Sequence, residues 1–349
     1  MYRVLHVDLD QFIAAVEILR RPELADRPVV VGGHGDPTRR GVVATASYVA
    51  REYGIRSGMP LRTALHRCPD AVFLPADNPA YEAASREVMA VLRGLPDVTV
   101  EVMGWDEAFV GATVPDDAHA EELAGQIQAA VVASTRLSCA VGIGDNLLRA
   151  KIATEFGKPG GRFTLTAQNW AEVMGHRPTR ALWGIGAKTA AKLAERGIST
   201  VAELGAADPE ALAAELGPAL GPWYVQLGRG IGRVEVRGEP WIARSHGREE
   251  TFPADLTEWA DVQAAAATLA RRVADDVRAA GRPAARVGVK VRFAPFTTKT
   301  RSMTLPEPTS DTAALEAAAL AVLERFTPGR PVRLVGVRAE LARARKERP

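Results

Sequence analysis

Residues 3–8, Arg-Val-Leu-His-Val-Asp, do not alternate apolar with polar as a half-buried strand would. A run of this kind reads as a buried strand that ends in a carboxylate. Residues 11–20 place Phe12, Val16 and Leu19 on one helical face. Residues 28–33 and 41–45 read as strands, and 47–53 and 61–66 as short helices. Residues 78–95 read as a long helix with Asn78 as its cap before Pro79. Strands at 98–103 and 107–111 flank Gly104-Trp105-Asp106. A helix at 116–135, a strand at 138–143 and a helix at 146–155 follow. Interleaved strands and helices make this half α+β or α/β.

The rest of the chain has other patterns. Residues 170–232 are helical with glycine-marked turns, and 234–241 read as an extended linker. Segments 246–251, 258–280, 285–293, 297–305, 312–326 and 331–341 follow the order β-α-β-β-α-β, a ferredoxin-like split unit. A length of 349 residues suits two to four domains, and 47% hydrophobic with 25% charged residues suits a globular protein with real cores. Cys68 and Cys139 give neither a metal spacing nor a disulfide framework, so a reducing cytosol is expected. No apolar run reaches the roughly 18 residues a bilayer requires, and the N-terminus turns acidic too early for a signal peptide. The formal charge is −4 over residues 1–168, zero over 169–232 and +6 over 233–349. That division suits a protein holding cations at one end and a polyanion at the other. It is equally ordinary for an Arg-rich proteome.

Three constellations carry chemistry. Asp8 and Asp10 end the first strand, and Asp106 and Glu107 sit at the turn between two later ones. Carboxylates on rigid strand ends are hard-oxygen ligands suited to Mg²⁺, and paired ions can steady both oxygens of a phosphoryl transfer. Taken alone, each motif reads as a solvated strand end, and spacing cannot show that Asp8 and Asp106 meet. Thr45, Tyr48 and Arg51 recur at i, i+3, i+6 around a helix start, a pattern able to hold a triphosphate; the alternative is a packed tyrosine and a solvated arginine. Leu182-Trp183-Gly184-Ile185-Gly186-Ala187-Lys188 is the most distinctive. Apolar-Gly-apolar-Gly before a basic helix is a helix-hairpin-helix, whose backbone N–H groups meet a nucleic-acid phosphate without reading sequence.

Five stretches in order resemble the Y-family of DNA polymerases, in the DinB or DNA polymerase IV branch, over nearly the whole chain. They are His6 to Glu17, Val43 to Arg51, Gly104 to Ala108, Ala140 to Ala153 with Lys158-Pro159-Gly160-Gly161, and the hairpin. The resemblance implies an α+β multidomain right hand: palm (1–18 and 77–168), small fingers (19–76), helical thumb with the hairpin (169–232), linker (233–242) and ferredoxin-like little finger (243–349). It implies template-directed, translesion-type addition of nucleotides to a primer 3′ end. By match, Asp8, Asp106 and Glu107, with the Leu9 carbonyl, would hold two Mg²⁺ or Mn²⁺ ions. Asp10 belongs to the motif without being a principal ligand. Thr45, Tyr48, Arg51 and Lys158 would hold the triphosphate, with Phe12 and Ile13 under the nucleotide. Gly184, Gly186 and Lys188 would meet DNA backbone, and the basic last segment would grip the duplex. The expected partners are primer–template DNA and a nucleoside triphosphate, the expected state a monomer in the cytoplasm. The other functional classes are a non-catalytic DNA-binding protein on the same hand and a helix-hairpin-helix nuclease.

The chain departs from that family twice. The position after Phe12 usually carries a large aromatic that excludes a 2′-hydroxyl; here it is Ile13. A roomier sugar floor implies weakened discrimination against ribonucleotides; a closed pocket formed by Phe12 or a backbone shift is the alternative. The chain also ends Leu341-Ala342-Arg343-Ala344-Arg345-Lys346-Glu347-Arg348-Pro349, without the Gln-containing apolar peptide that docks a sliding clamp, so clamp binding lacks its usual element.

Overall fold

The structure, a computed structural model, describes residues 1–342. It has two compact units: Met1–Pro37 with Gly41–Pro240, and the described residues from Trp241 onward with Thr38–Arg40.

The first unit opens with β1 (Tyr2–Leu9), α1 (Phe12–Arg20), β2 (Val29–Val31), β3 (Thr45–Ala46), α2 (Tyr48–Glu52), α3 (Leu61–Arg67), β4 (Val72–Leu74) and α4 (Asn78–Arg93). It continues through β5 (Val98–Val102), β6 (Glu107–Thr113), α5 (Asp117–Thr135), β7 (Cys139–Gly144), α6 (Leu147–Gly157) and β8 (Arg162–Leu165). The short helices α7 (Trp170–Met174), α8 (Ala187–Ala194), α9 (Val201–Ala206), α10 (Pro209–Leu216) and α11 (Leu220–Gly228) complete it. Five strands form a sheet in the order β5-β6-β1-β7-β8. Its centre, β1, is antiparallel to both β6 and β7.

This position explains the unalternating run. Leu5, Val7 and Leu9 point into the core built with Met89 and Leu92 of α4 and Ile127 and Val131 of α5. Val4 and His6 face the other way, where Val4 meets Leu147 and Ala150 of α6, and His6 meets Thr154. Neither face of the strand needs polar residues to meet water, so the alternation disappears. Gly142, opposite His6 on β7, lets α6 lie this close. A Cβ there would stand 2.1 Å from the Ala150 carbonyl oxygen and 2.3 Å from the Thr154 nitrogen.

Several expectations are corrected. Residues 41–44 are not a strand. Val43 donates its N–H to Met59 and accepts from Gly58, so only Thr45–Ala46 is left to pair with β2. The cap of α4 is Asp77, which accepts from the Ala80 N–H at 3.3 Å, and Asn78 is already helical. Two short edge strands, β4 and β8, give no sequence signal; each pairs in parallel with an inner neighbour, β2 and β7 respectively. Residues 233–237, without helix or strand as expected, are anchored to the first unit. Arg233 pairs with Glu101 at 2.5 and 2.9 Å, and Val236 is buried with its N–H on the Tyr2 hydroxyl.

The second unit comprises β9 (Ser245–Leu256), α12 (Trp259–Ala279), β10 (Ala284–Phe293), β11 (Thr297–Thr309), α13 (Thr312–Leu323) and β12 (Val332–Leu341). The antiparallel sheet runs β11-β10-β12-β9. Hence β9 and β10 are parallel across β12, and β11 and β12 are parallel across β10: two interleaved split β-α-β units. Both helices cover one face through Leu269, Val273, Leu315 and Val322. The open face alternates to Arg286, Gly288, Lys290 and Arg292 on β10, with Arg338 opposite Gly288 on β12. No helix among the described residues is long and apolar enough to cross a membrane.

Gly142→Ala forces α6 off the sheet. The expected destabilisation is at least about 1–3 kcal/mol, the usual cost of overpacking, read as a lower denaturant midpoint at unchanged slope.

Candidate active site

The β1–β6 register sets Asp8 directly opposite Glu107. Facing residues of antiparallel strands present their side chains to the same side at close range. His6 lies two residues back on that same face. One ligand atom each from His6, Asp8 and Glu107 lies within 4.8 Å of the others. Asp106 occupies the turn before β6, its carbonyl accepting the Leu9 N–H at 2.9 Å. Its carboxylate is outside that tight trio, yet its charge helps to raise the pKa of Asp8. The two distant acidic motifs therefore meet.

Two lysines reach the cluster. Lys158 Nζ is 2.9 Å from Asp8 Oδ1 and 2.9 Å from Glu155. Lys151 Nζ donates to Glu107 Oε2 and lies 3.2 Å from His6 Nε2. Burial pushes the Asp8 carboxyl above its ordinary range against the pull of Lys158. Burial likewise raises Asp106, helped by the charge of Glu107. Glu107 goes the other way, to about 2, through its hydrogen bond from His6 and then Lys151. His6 is held neutral by burial. Its Nδ1 is 2.8 Å from the Thr154 hydroxyl oxygen and its Nε2 3.2 Å from Glu107 Oε2. Three carboxylates face two ammonium groups, and two of the three are hard to ionise as they stand. The donor set and its deficit of positive charge fit divalent cations bound by hard oxygens.

The chain turns sharply after β1. Gln11 takes a left-handed conformation with φ 43°, unusual for a residue with a side chain, and starts α1. Phe12 is buried, and Ile13, half-buried, packs against the main core. The Tyr48 hydroxyl donates to Asp10 Oδ1 at 2.8 Å, its N–H goes to Gln11 Oε1, and burial raises its pKa, keeping the phenol protonated. Arg51 stacks over the Tyr48 ring at 4.8 Å and donates Nε–H to the Ala46 carbonyl. Thr45 sits at the edge of β3, opposite Val31.

At the hairpin, Gly184 has φ +99°, and a Cβ there would crowd Trp223 at 2.9 Å. Nothing lies within 4 Å of a Cβ at Gly186, which starts α8 with no side-chain cap, and Lys188 is exposed. That hairpin and the carboxylates are separate places on the unit. Trp183 alone reaches toward the carboxylates, its ring 5.4 Å from Lys151 Nζ. His6, buried beside Phe109, and Lys151 are not singled out by the sequence, although the period of two puts His6 on the face of Asp8.

Residues 7–155 match the impB/mucB/samB family and residues 243–348 match its C-terminal domain. The chain is 49% identical over 342 residues to a protein named DNA polymerase IV 2 from Mycobacterium tuberculosis (strain ATCC 25618 / H37Rv), covering 97% of this chain and 98% of that one. It is 40% identical to a DNA polymerase IV from Methanoculleus marisnigri, covering 97% of this chain and 94% of the relative. Among solved structures, a Y-family DNA polymerase chimera of Dbh and Dpo4 superposes with a TM-score of 0.85 at 25% identity, covering 97% and 98% of the two chains. DinB from Sulfolobus solfataricus gives 0.66 at 26% identity over the same shares. The chain belongs to the impB/mucB/samB family, the Y-family of DNA polymerases. Within it the chain is of the DinB, or DNA polymerase IV, type, a DNA-directed DNA polymerase.

Asp106→Asn is expected to stabilise the metal-free protein at neutral pH. A carboxyl whose folded pKa is raised costs stability once pH rises through the unfolded and then the folded value. The gain of the variant should therefore vanish as pH falls back through that window. Denaturant midpoints across pH test this, and added Mn²⁺ should raise the midpoint of the wild type more than that of the variant.

Proposed function

We propose that this chain is a template-directed DNA polymerase of translesion type that extends a primer 3′ end by two-metal phosphoryl transfer, with weak discrimination against ribonucleotides. The observation that carries it is the pairing of Asp8 with Glu107 across β1 and β6, with Asp106 in the adjoining turn. In this reading Asp8, Asp106, Glu107 and the Leu9 carbonyl hold two Mg²⁺ or Mn²⁺ ions. When bound, such ions supply Lewis acidity and neutralise charge on the phosphates.

The remaining work belongs to the chain. Lys158, now on Asp8, and Arg51, with Thr45 and Tyr48, hold the triphosphate. Phe12 and Ile13 form the floor beneath the sugar. The open space over Gly186 and the exposed Lys188 take a backbone phosphate of DNA. On the second unit, the open sheet face with Arg286, Lys290, Arg292 and Arg338 grips the duplex. The proposed domains are palm (1–18 and 77–168), fingers (19–76), thumb (169–232), linker (233–242) and little finger (243–349). The protein is proposed to act as a cytoplasmic monomer. The clamp question falls on the basic tail, where 343–349 lie outside the described residues.

Primer extension on a labelled duplex tests the polymerase reading, and an Asp106→Ala variant that still extends overturns it. Sugar choice is tested by single-nucleotide extension with ATP against dATP. A pocket with room for an added hydroxyl rejects it by about 10²-fold or less, whereas a preference for dATP above about 10⁴-fold means true exclusion and sinks the Ile13 argument. Ile13→Phe should raise discrimination.

A further inference from the structure

Tyr48 stands among the residues assigned to the triphosphate, yet both of its donors are already in use. Its N–H goes to the Gln11 side chain and its hydroxyl to Asp10. A phenol has one proton, so while it donates to Asp10 it has none for a phosphate oxygen. Asp10 itself is 3% exposed. Its second oxygen accepts the Ser138 hydroxyl at 2.9 Å, and its own N–H donates to the Ser138 carbonyl at 2.9 Å. Both carboxylate oxygens thus accept a hydroxyl, which makes the bond to Tyr48 charge-assisted.

We propose that Asp10 is a latch on Tyr48: a bound nucleoside triphosphate must redirect the Tyr48 hydroxyl from Asp10 to a phosphate oxygen, while Ser138 retains the carboxylate. Asp10 is then a positioning residue that sets triphosphate affinity, not a metal ligand. The exchange swaps one charged acceptor for another, so the phosphate gains little from Tyr48 beyond what Asp10 gives up. Arg51 stacks on the same ring and is held by the Ala46 carbonyl. The inference deepens the polymerase reading and rests on it.

The sign of the effect separates the latch from its alternatives. Asp10→Asn keeps the shape but replaces a charged acceptor by a neutral one, roughly halving the strength of the competing bond. Triphosphate affinity should rise about five- to tenfold, the range between charged and neutral hydrogen bonds. The same substitution in a Tyr48→Phe background should give a much smaller gain, because no phenol proton is left to release. Ser138→Ala leaves Tyr48 as the only hydroxyl on Asp10, tightens the latch and should weaken triphosphate binding several-fold. The measurement is the Kd of dATP for the full-length protein on a duplex with templating thymine and a 3′-dideoxy primer, in Mg²⁺, for wild type, the three single variants and Asp10→Asn/Tyr48→Phe. An Asp10→Asn variant that binds dATP more weakly or equally well overturns the latch, as does an equal gain with and without the Tyr48 hydroxyl. Should Asp10→Asn not fold, Ser138→Ala decides alone: weaker binding supports the latch, and unchanged or tighter binding refutes it. Wild-type protein that extends primers but shows none of these effects refutes the latch only; wild-type protein that neither binds dATP nor extends refutes the polymerase reading beneath it.

Discussion

The site depends on one backbone ladder, the pairing of β1 with β6. That ladder places Asp8 against Glu107. Side chains in a strand alternate faces, so a slip of one residue would send Asp8 and His6 into the core beneath α4 and α5. Leu5, Val7 and Leu9 would emerge beneath α6. Burial on both faces makes such a slip prohibitive, and so an apolar strand can hold carboxylates that repel one another.

The charges at the strand ends are graded. Glu107 is held well below the usual carboxylate range by His6 and Lys151, while burial drives Asp8 and Asp106 upward. Opposite unit charges about 4 Å apart near a protein surface attract by about 4 kcal/mol, so Lys151 steadies Glu107, and Lys158 steadies Asp8 while also pairing with Glu155. Neither reaches Asp106 as a bonded partner. Asp8 and Asp106 are the two carboxyls that burial makes harder to ionise. Lys158 lies on the Asp8 side, held between Asp8 and Glu155.

Much of this was legible in the sequence. The unalternating run announced a buried strand, and the β-α-β-β-α-β order announced the split units of the second domain. Asp116, ahead of α5, read as a helix start, and its side chain does accept the His119 N–H at 3.0 Å. What could not be read were pairings made across the chain. Nothing near Glu107 in the sequence points to His6 or to Lys151, which come from another strand and a later helix. The three-residue strand β4 and the four-residue strand β8 carry too few residues to show a period. Residues 233–237 looked like a linker because Gly238 and Pro240 punctuate them. Their anchoring comes from Glu101 and Tyr2, which local composition cannot reveal.

Gln11 ties the separate parts of the site together. Its left-handed backbone costs about 1–3 kcal/mol for a residue with a side chain, and the turn it makes carries the chain from strand to helix with no intervening loop. Consequently Asp8 of the acidic cluster, Asp10 on the Tyr48 hydroxyl, Gln11 on the Tyr48 amide and Ile13 in the first turn of α1 fall within six consecutive residues. The acidic cluster, the Tyr48 contacts and the start of α1 are thereby set by one stretch of backbone. A substitution at Ile13 acts at the first turn of a helix whose start is pinned by Gln11 to the fingers-side residue Tyr48. A bulkier side chain at position 13 would therefore press on a fixed frame and on the core that Ile13 packs against.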